Sequence, residues 1–206
     1  MKNKGGCEIN SVKRVCFLIA SLTLLTLLAS CSGHADAERL EDEIKDGFRG
    51  AGGIEATAGV SADYGDGVLR FTVKYAGTAD MGAVEILAPE QVAGITARVA
   101  FPECELEYDG VSMEAGTLTG DGLSPVQALP VLLGQWTDGY TELASFERLG
   151  DIDALVLETR ITDDSSQRTW FDTQTLLPMR SEIYGGDKMV IACDVESIRI
   201  EPARNG

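Results

Sequence analysis

The sequence LRFTVKY, residues 69–75, decides the fold, because its apolar side chains alternate strictly with Arg70, Thr72 and Lys74. Successive side chains of a β-strand point to opposite faces, so the pattern predicts a strand with one buried face and one solvated face. The period changes to that of strands from about Ile54, and similar patterns predict strands at residues 84–86, 95–101, 106–108, 111–113, 154–161, 168–171, 179–184, 188–193 and 197–200. We therefore expect about nine or ten strands.

Short links between these segments favour antiparallel pairing. Asp109-Gly110 and Gly185-Gly186-Asp187 have the composition of tight hairpin turns. Strands and helices do not alternate in the way that βαβ units require, so a parallel sheet is not expected. The sequence predicts a mainly β domain of the α+β class, built on an antiparallel meander.

Two helices accompany the strands. Residues 37–48 carry an apolar side chain at every fourth position, which predicts a helix with a narrow apolar stripe, formed by Leu40, Ile44 and Phe48. A second helix is predicted to begin at Pro125, with Ser124 as its N-cap. Its apolar residues lie on more than one face, and Pro130 is expected to break or kink it.

The first thirty residues have the order of an export signal, with basic residues first and a charge-free apolar run at residues 15–29. As a helix this run would reach only about 22 Å, short of the roughly 30 Å hydrocarbon core, which favours a signal peptide over a membrane span. The run ends in Leu28-Ala29-Ser30-Cys31, which resembles the lipobox of bacterial lipoproteins.

The lipobox resemblance implies cleavage before Cys31 and attachment of diacylglycerol to its thiol, which would anchor the chain to a membrane. Residues 1–30 would then be the signal peptide, residues 31–36 a tether and residues 37–206 one domain. Ala35-Asp36-Ala37 offers an alternative cleavage site, typical of secreted proteins without lipid. We expect an extracytoplasmic protein anchored to the cell membrane, or to the outer membrane in a two-membrane cell.

The charge balance argues against two kinds of partner. The chain has 17 basic and 33 acidic residues and a net charge of −16. Removing residues 1–30 takes away four positive charges and one negative charge, which leaves about −19. Nucleic acid requires a basic surface, and so does electrostatic docking on anionic lipid. Neither is expected here, and the acidic excess is typical of solubility and self-repulsion.

The domain holds few residues suited to catalysis. Its cysteines, Cys104 and Cys193, both lie in strand-like segments and could form either a disulfide or two buried thiols. The single histidine, His34, lies in the expected tether, so no His-based triad or zinc site is predicted. We expect no enzyme, no metal and no cofactor. Turn aspartates acting as a carboxylate pair on a glycoside are the remaining enzymatic alternative.

The segment at residues 169–200 resembles a known family. Trp170-Phe171-Asp172, then Leu177-Pro178-Met179-Arg180, then a hairpin and a last strand resemble the C-terminal pattern of the bacterial lipoprotein carrier and receptor proteins LolA and LolB. Residues 85–90, EILAPE, resemble a strand-to-proline corner of the same fold. The resemblance implies a strongly curved antiparallel sheet that forms an open half-barrel, with about two helices as a lid over an apolar cavity.

The resemblance also implies which residues would line that cavity, namely Leu69, Phe71, Val73, Leu129, Leu132, Leu133 and Trp136. The alternative is that the same residues form a packed core. We expect a non-catalytic membrane-anchored protein that binds a lipid, a lipoprotein or another hydrophobic ligand. The alternative is an anchored protein-interaction, structural or envelope-sensing module without a ligand cavity, with an envelope protein as its partner.

Overall fold

A computed structural model describes residues 32–63, 65, 67–100, 103–108, 111–117 and 125–203. The predicted signal peptide and Cys31 lie outside these residues. The elements in chain order are α1 (Ser32–Arg49), β1 (Ala51–Asp63), β2 (Val68–Gly77), β3 (Met81–Ala88), a 3-10 turn (Glu90–Val92), β4 (Thr96–Ala100), β5 (Glu103–Tyr108), β6 (Val111–Thr117), α2 (Pro125–Asp138), β7 (Tyr140–Leu149), β8 (Ile152–Thr162), β9 (Ser165–Asp172), β10 (Pro178–Gly185) and β11 (Lys188–Pro202).

All eleven described strands belong to one antiparallel sheet, in the order β6-β5-β4-β3-β2-β1-β11-β10-β9-β8-β7. The first and last strands pair at its centre, with Ile54 opposite Ile200. Because β6 and β7 are the two ends of this order and do not pair with each other, the sheet is an open half-barrel, as predicted. The mainly β, antiparallel fold class is therefore confirmed.

Alternation of burial along β1 and β2 distinguishes a core face of the sheet from an outer face. On β1 every second side chain from Ile54 to Ala62 is buried, whereas the residues between them are more exposed. On β2 the core face includes Val73 and Tyr75, both fully buried, and the outer face includes Lys74. This period of two fixes the register, because a slip of one residue would expose the whole apolar set.

The helix α2 is buried on all sides within the half-barrel. Ten of its 14 residues are buried, namely 126–133, 136 and 137. The buried apolar side chains among them belong to the same core cluster as those of the sheet. A helix that is apolar all round requires such a site. The break predicted at Pro130 does not occur, because α2 runs unbroken from Pro125 to Asp138. Packing on every side holds the helix although Pro130 cannot donate a backbone hydrogen bond.

The helix α1 packs on α2, on the edge strand β7 and on its neighbour β8. Its predicted stripe is present, with Ile44 and Phe48 fully buried and Leu40 half-buried. The helix begins at Ser32, five residues before the predicted start at residue 37. Ser32, Gly33 and Asp36 have lower helix propensities than alanine, so the composition of this segment did not predict the extension. Neither described helix is long and apolar enough to cross a membrane.

Candidate functional site

The residues predicted to line a cavity lie mainly in a packed core. The side chains of Val73, Leu129, Leu132 and Leu133 are 0% exposed, and that of Trp136 is 3% exposed. A side chain with no exposed area has no water-sized space beside it, so in this conformation α2 fills the concave face of the sheet. In this structure, these five residues are part of a packed core and do not line a cavity.

The other two predicted residues lie at the margin of this core. Leu69 is 50% exposed and Phe71 is half-buried. They pair with Ala62 and Val60, near the end of the β1–β2 hairpin. The helix α2 does not cover Leu69, which explains why strict alternation did not lead to burial there.

Trp136 connects both helices to the sheet. Its ring lies 5.4 Å from the ring of Phe48 on α1 and 6.2 Å from the ring of Phe171 on β9, measured between centroids. Its indole Nε1 donates a hydrogen bond of 3.1 Å to the hydroxyl oxygen of Thr169. A buried indole usually finds such a partner. Removing Trp136 would therefore remove contacts that join α2 to both α1 and β9.

Beneath Trp136 the core face carries a polar row, which we define as Thr159, Gln167, Thr169 and Ser181. All four side chains are buried. The Thr169 hydroxyl oxygen accepts from Trp136 and also from the Gln167 amide nitrogen at 2.8 Å. With both of its acceptor positions used, Thr169 donates its own proton to the Ser181 hydroxyl at 2.7 Å.

Two atoms of the polar row have no hydrogen-bond partner. They are the Gln167 side-chain oxygen Oε1 and the Thr159 hydroxyl oxygen Oγ1. Thr159 and Gln167 are direct cross-strand neighbours on β8 and β9. A buried polar atom without a partner lowers stability by about 1–3 kcal/mol. The sequence alone does not reveal this row, because Thr159 and Gln167 fit ordinary strand alternation.

Hydrogen bonds and an ion pair connect the C-terminal end of α1 to the segment where α2 ends and β7 begins. The mostly buried Lys45 ammonium donates to Glu41 at 2.6 Å, to the Gly139 carbonyl at 2.8 Å and to the Thr141 hydroxyl at 3.3 Å. The exposed pair Arg49–Asp138, at 3.0 Å, adds a weaker contact. The two helices are therefore joined at one end of the core.

Cys193 is a free and fully buried thiol on β11. Cys104 lies on β5, and β4, β3, β2 and β1 separate these strands in the sheet. The disulfide alternative is therefore wrong for this structure, since the two cysteines belong to distant strands. Burial raises the pKa of the Cys193 thiol to about 12, so at neutral pH it is protonated and a poor nucleophile.

This burial predicts that Cys193 resists alkylation in the folded protein. We expect iodoacetamide at pH 8 to leave the Cys193 peptide unmodified until denaturant is added, as measured by peptide mapping. The pKa rises on folding from an ordinary value of 9.0 to about 12, so the folded state holds the proton more tightly. Stability should therefore decrease as pH increases from 9 towards 12. Rapid modification of native Cys193 would contradict its buried position.

Two of the described aspartates, Asp63 and Asp172, have structural roles of the kind expected in turns. Asp63 accepts from the Gly65 amide at 2.8 Å and pairs with Lys188 at 3.3 Å. Asp172 accepts from the amides of Gln174 and Thr175. Across the described ranges, no group of three or more histidine, cysteine, aspartate or glutamate side chains is arranged to hold a metal ion.

Two surface depressions lie away from the predicted cavity residues, except that Phe71 borders one of them. A depression of about 360 Å³ lies between β1, β2, β11 and the end of β3, and its lining includes Arg70, Phe71, Pro89 and Asp194. Another of about 300 Å³ lies beside the end of α2. Both depressions are open to solvent and neither is an enclosed apolar site.

Comparison with known proteins supports the architecture. No protein-family model matches the chain, and no curated protein matches it. Among solved structures, the chain is similar to a DUF1329 family protein from Desulfovibrio piger, at 14% identity and a TM-score of 0.51, over 84% of this chain and 95% of that one. An uncharacterized conserved protein from Thermus thermophilus aligns at 12% identity and a TM-score of 0.50, over 81% and 88% of the two chains.

A third solved structure, a LolA superfamily protein from Nitrosomonas europaea, aligns at 12% identity over 82% of this chain and 94% of that one, with a TM-score of 0.46. That TM-score is below the level at which a shared fold is inferred. The two higher scores show a common fold, which places the chain in the class of open antiparallel half-barrels with helices on the concave face.

Proposed function

We propose that this chain is an extracytoplasmic, lipid-anchored protein that binds a long acyl chain, carried by a lipid or a lipoprotein, on the concave face of its half-barrel. The helix α2 occupies that face in the structure and moves aside to admit the ligand. The lipobox resemblance at residues 28–31 supports the anchor. The role is binding without catalysis.

The proposal rests mainly on the low helix propensity of α2, the helix that fills the half-barrel. The α2 sequence contains Pro130 and Gly134 in its interior. Relative to alanine, these residues disfavour a helix by about 3 and 1 kcal/mol. The helix is therefore maintained by its contacts with the sheet and α1 rather than by intrinsic propensity. Such a segment can exchange its apolar contacts for those of a ligand.

The size of the apolar contact determines which ligands suffice. Val126, Leu129, Leu132, Leu133 and Trp136 are buried, and at about 1.5–3 kcal/mol each their exposure would cost on the order of 10 kcal/mol. An acyl chain gains about 0.8 kcal/mol for each buried methylene, so roughly twelve carbons are needed to replace α2. Shorter chains should not displace the helix.

This threshold predicts selective binding by residues 32–206, which contain every described element. We expect native mass spectrometry to show saturable binding of hexadecanoate, and no binding of octanoate at the same concentration. Lipid that copurifies after mild extraction would support the same conclusion. Absence of both bound lipid and hexadecanoate binding would contradict the proposal, and equal binding of the two acids would indicate surface adsorption.

A second candidate function is binding of an envelope protein through the edge strand β7. Among the strands that the structure describes, β7 pairs with β8 alone. It carries the exposed side chains Tyr140, Leu143 and Phe146, at 73%, 52% and 47% exposure. An unpaired strand edge can accept a strand from a partner. Loss of partner capture on Leu143→Lys with fatty-acid binding unchanged would favour this function for β7.

A further inference from the structure

We propose that the polar row forms a subsite for a hydrogen-bond donor on the ligand, so that the preferred acyl ligand bears a hydroxyl or amide N–H close to its head. This inference rests on the proposed function, since Trp136 of α2 bonds to Thr169 of the row. It assigns a chemical class to the ligand, which neither the fold nor the apolar core specifies.

The polar row contains hydrogen-bond acceptors that are not in use. Gln167 Oε1 and Thr159 Oγ1 have no partner, and the two residues are only 2% and 4% exposed. No water-sized space adjoins either atom in this packing. They can therefore gain a partner only when the packing above them changes. An amide oxygen accepts hydrogen bonds and cannot donate, so Gln167 Oε1 requires a donor.

Removal of α2 would add a third acceptor. Thr169 accepts the indole N–H of Trp136. If α2 moves away, that bond is lost and the Thr169 hydroxyl oxygen regains one acceptor position. The Gln167–Thr169 bond lies within β9 and the Thr169–Ser181 bond joins β9 to β10, so both remain in place and keep the row ordered. The exposed floor would then present three acceptors held by a rigid support.

The row occupies one end of the floor. On β9 the core-facing side chains run from Ser165 through Gln167 and Thr169 to Phe171, a length of roughly 20 Å at about 3.3 Å per residue. The end near the β8–β9 turn is polar. The other end is apolar, where Phe171 is opposite Leu155. An amphiphile fits with its head on the polar end and its chain along the apolar end.

The experiment compares two ligands that differ by one hydroxyl, 3-hydroxyhexadecanoate and hexadecanoate, on residues 32–206. We expect the wild type to bind the hydroxy acid about tenfold more tightly, because one buried acceptor gains a partner. Thr159→Val should lower the ratio of the two affinities, because the hydroxy acid should lose more affinity than hexadecanoate. Because Thr159 Oγ1 has no hydrogen-bond partner among the described residues, the variant should melt at the same temperature as the wild type or higher.

Thr169→Val is the matched control, because it removes three observed hydrogen bonds with the same change of atoms. We expect it to melt at a lower temperature. Equal affinity of the wild type for the two acids would overturn the inference while the proposed function stands. A lower melting temperature for Thr159→Val would also overturn it, since that hydroxyl would then have a partner. Failure of both acids to bind would reject the proposed function itself.

Discussion

Replacement of Trp136 by alanine is expected to lower the free energy of unfolding by about 3–5 kcal/mol, the range for large aromatic side chains in a core. Trp136 packs against Phe48 and Phe171 and donates to Thr169. Its loss would leave a cavity among α1, α2 and the sheet, and would leave Thr169 with one partner fewer. In a domain of this size the melting temperature should fall by roughly 10 °C.

Thermal unfolding followed by circular dichroism would measure this effect. Tyr140→Ala is the control, because it also removes an aromatic ring but at a site that is 73% exposed. We expect that variant to change the stability by no more than about 0.5 kcal/mol. If Trp136→Ala were as stable as Tyr140→Ala, then α2 would not be fixed to the concave face by this side chain.

Gly77→Ala is expected to destabilise the domain by about 3 kcal/mol, the upper part of the usual range for overpacking. Gly77 faces Gly82 across the β2–β3 hairpin. A Cβ atom on Gly77 would overlap the Met81 carbonyl oxygen and the Gly82 Cα. Both are backbone atoms, so no side-chain rotation can relieve the overlap and the hairpin itself must shift.

The same substitution at Gly47 is the control, because a Cβ atom there meets nothing within 4 Å. Gly47 lies inside α1 and is exposed. Alanine at such a position should stabilise the helix by about 0.5–1 kcal/mol. Chemical denaturation of both variants would give the two values. A change of equal size and sign in both would contradict the close approach at the β2–β3 hairpin.

Much of the fold could be predicted because buried apolar residues alternate with more exposed residues on strands such as β2 and β3. Val73, Tyr75, Val84 and Ile86 are buried as their alternation indicates. The turn at Gly186-Asp187 is also present, with Gly186 at a φ of 58°, where glycine is favoured. Local signals of this kind are strong when one face of a strand is dry and the other is wet.

The prediction missed β7 for a physical reason. This edge strand exposes Tyr140, Leu143 and Phe146, and a register shift between Thr141 and Leu143 interrupts its alternation. A similar irregularity made β11 look like two strands, because the pairing shifts between Ser197 and Val195 opposite Thr57 and Ala58. Bulges of this kind displace the period without any distinctive residue.

The candidate site could be predicted only in part. The apolar residues of α2 and of β2 identify the material of the core, but the sequence does not say whether a helix or a ligand occupies the space between them. The polar row depends on cross-strand pairing, such as Thr159 with Gln167. Such pairing joins residues from separate strands, and it becomes visible only when the register is known.

The central claim is that a long acyl chain replaces α2 on the concave face, and the two tryptophans of the chain test it directly. Trp136 lies on the core side. Trp170 lies on the outer face, where it packs with Ala154 and Val156 and under the Arg168 guanidinium. Trp170→Phe and Trp136→Phe each leave a single fluorophore, one on each side of the sheet.

The measurement is quenching of tryptophan fluorescence by a spin-labelled octadecanoic acid added to each variant. We predict saturable quenching of Trp136 in the Trp170→Phe protein, with unlabelled hexadecanoate reversing it and octanoate having no effect. The Trp136→Phe protein should show little quenching of Trp170, which the sheet separates from the ligand. Equal quenching of both tryptophans, or quenching of neither, would contradict binding on the concave face.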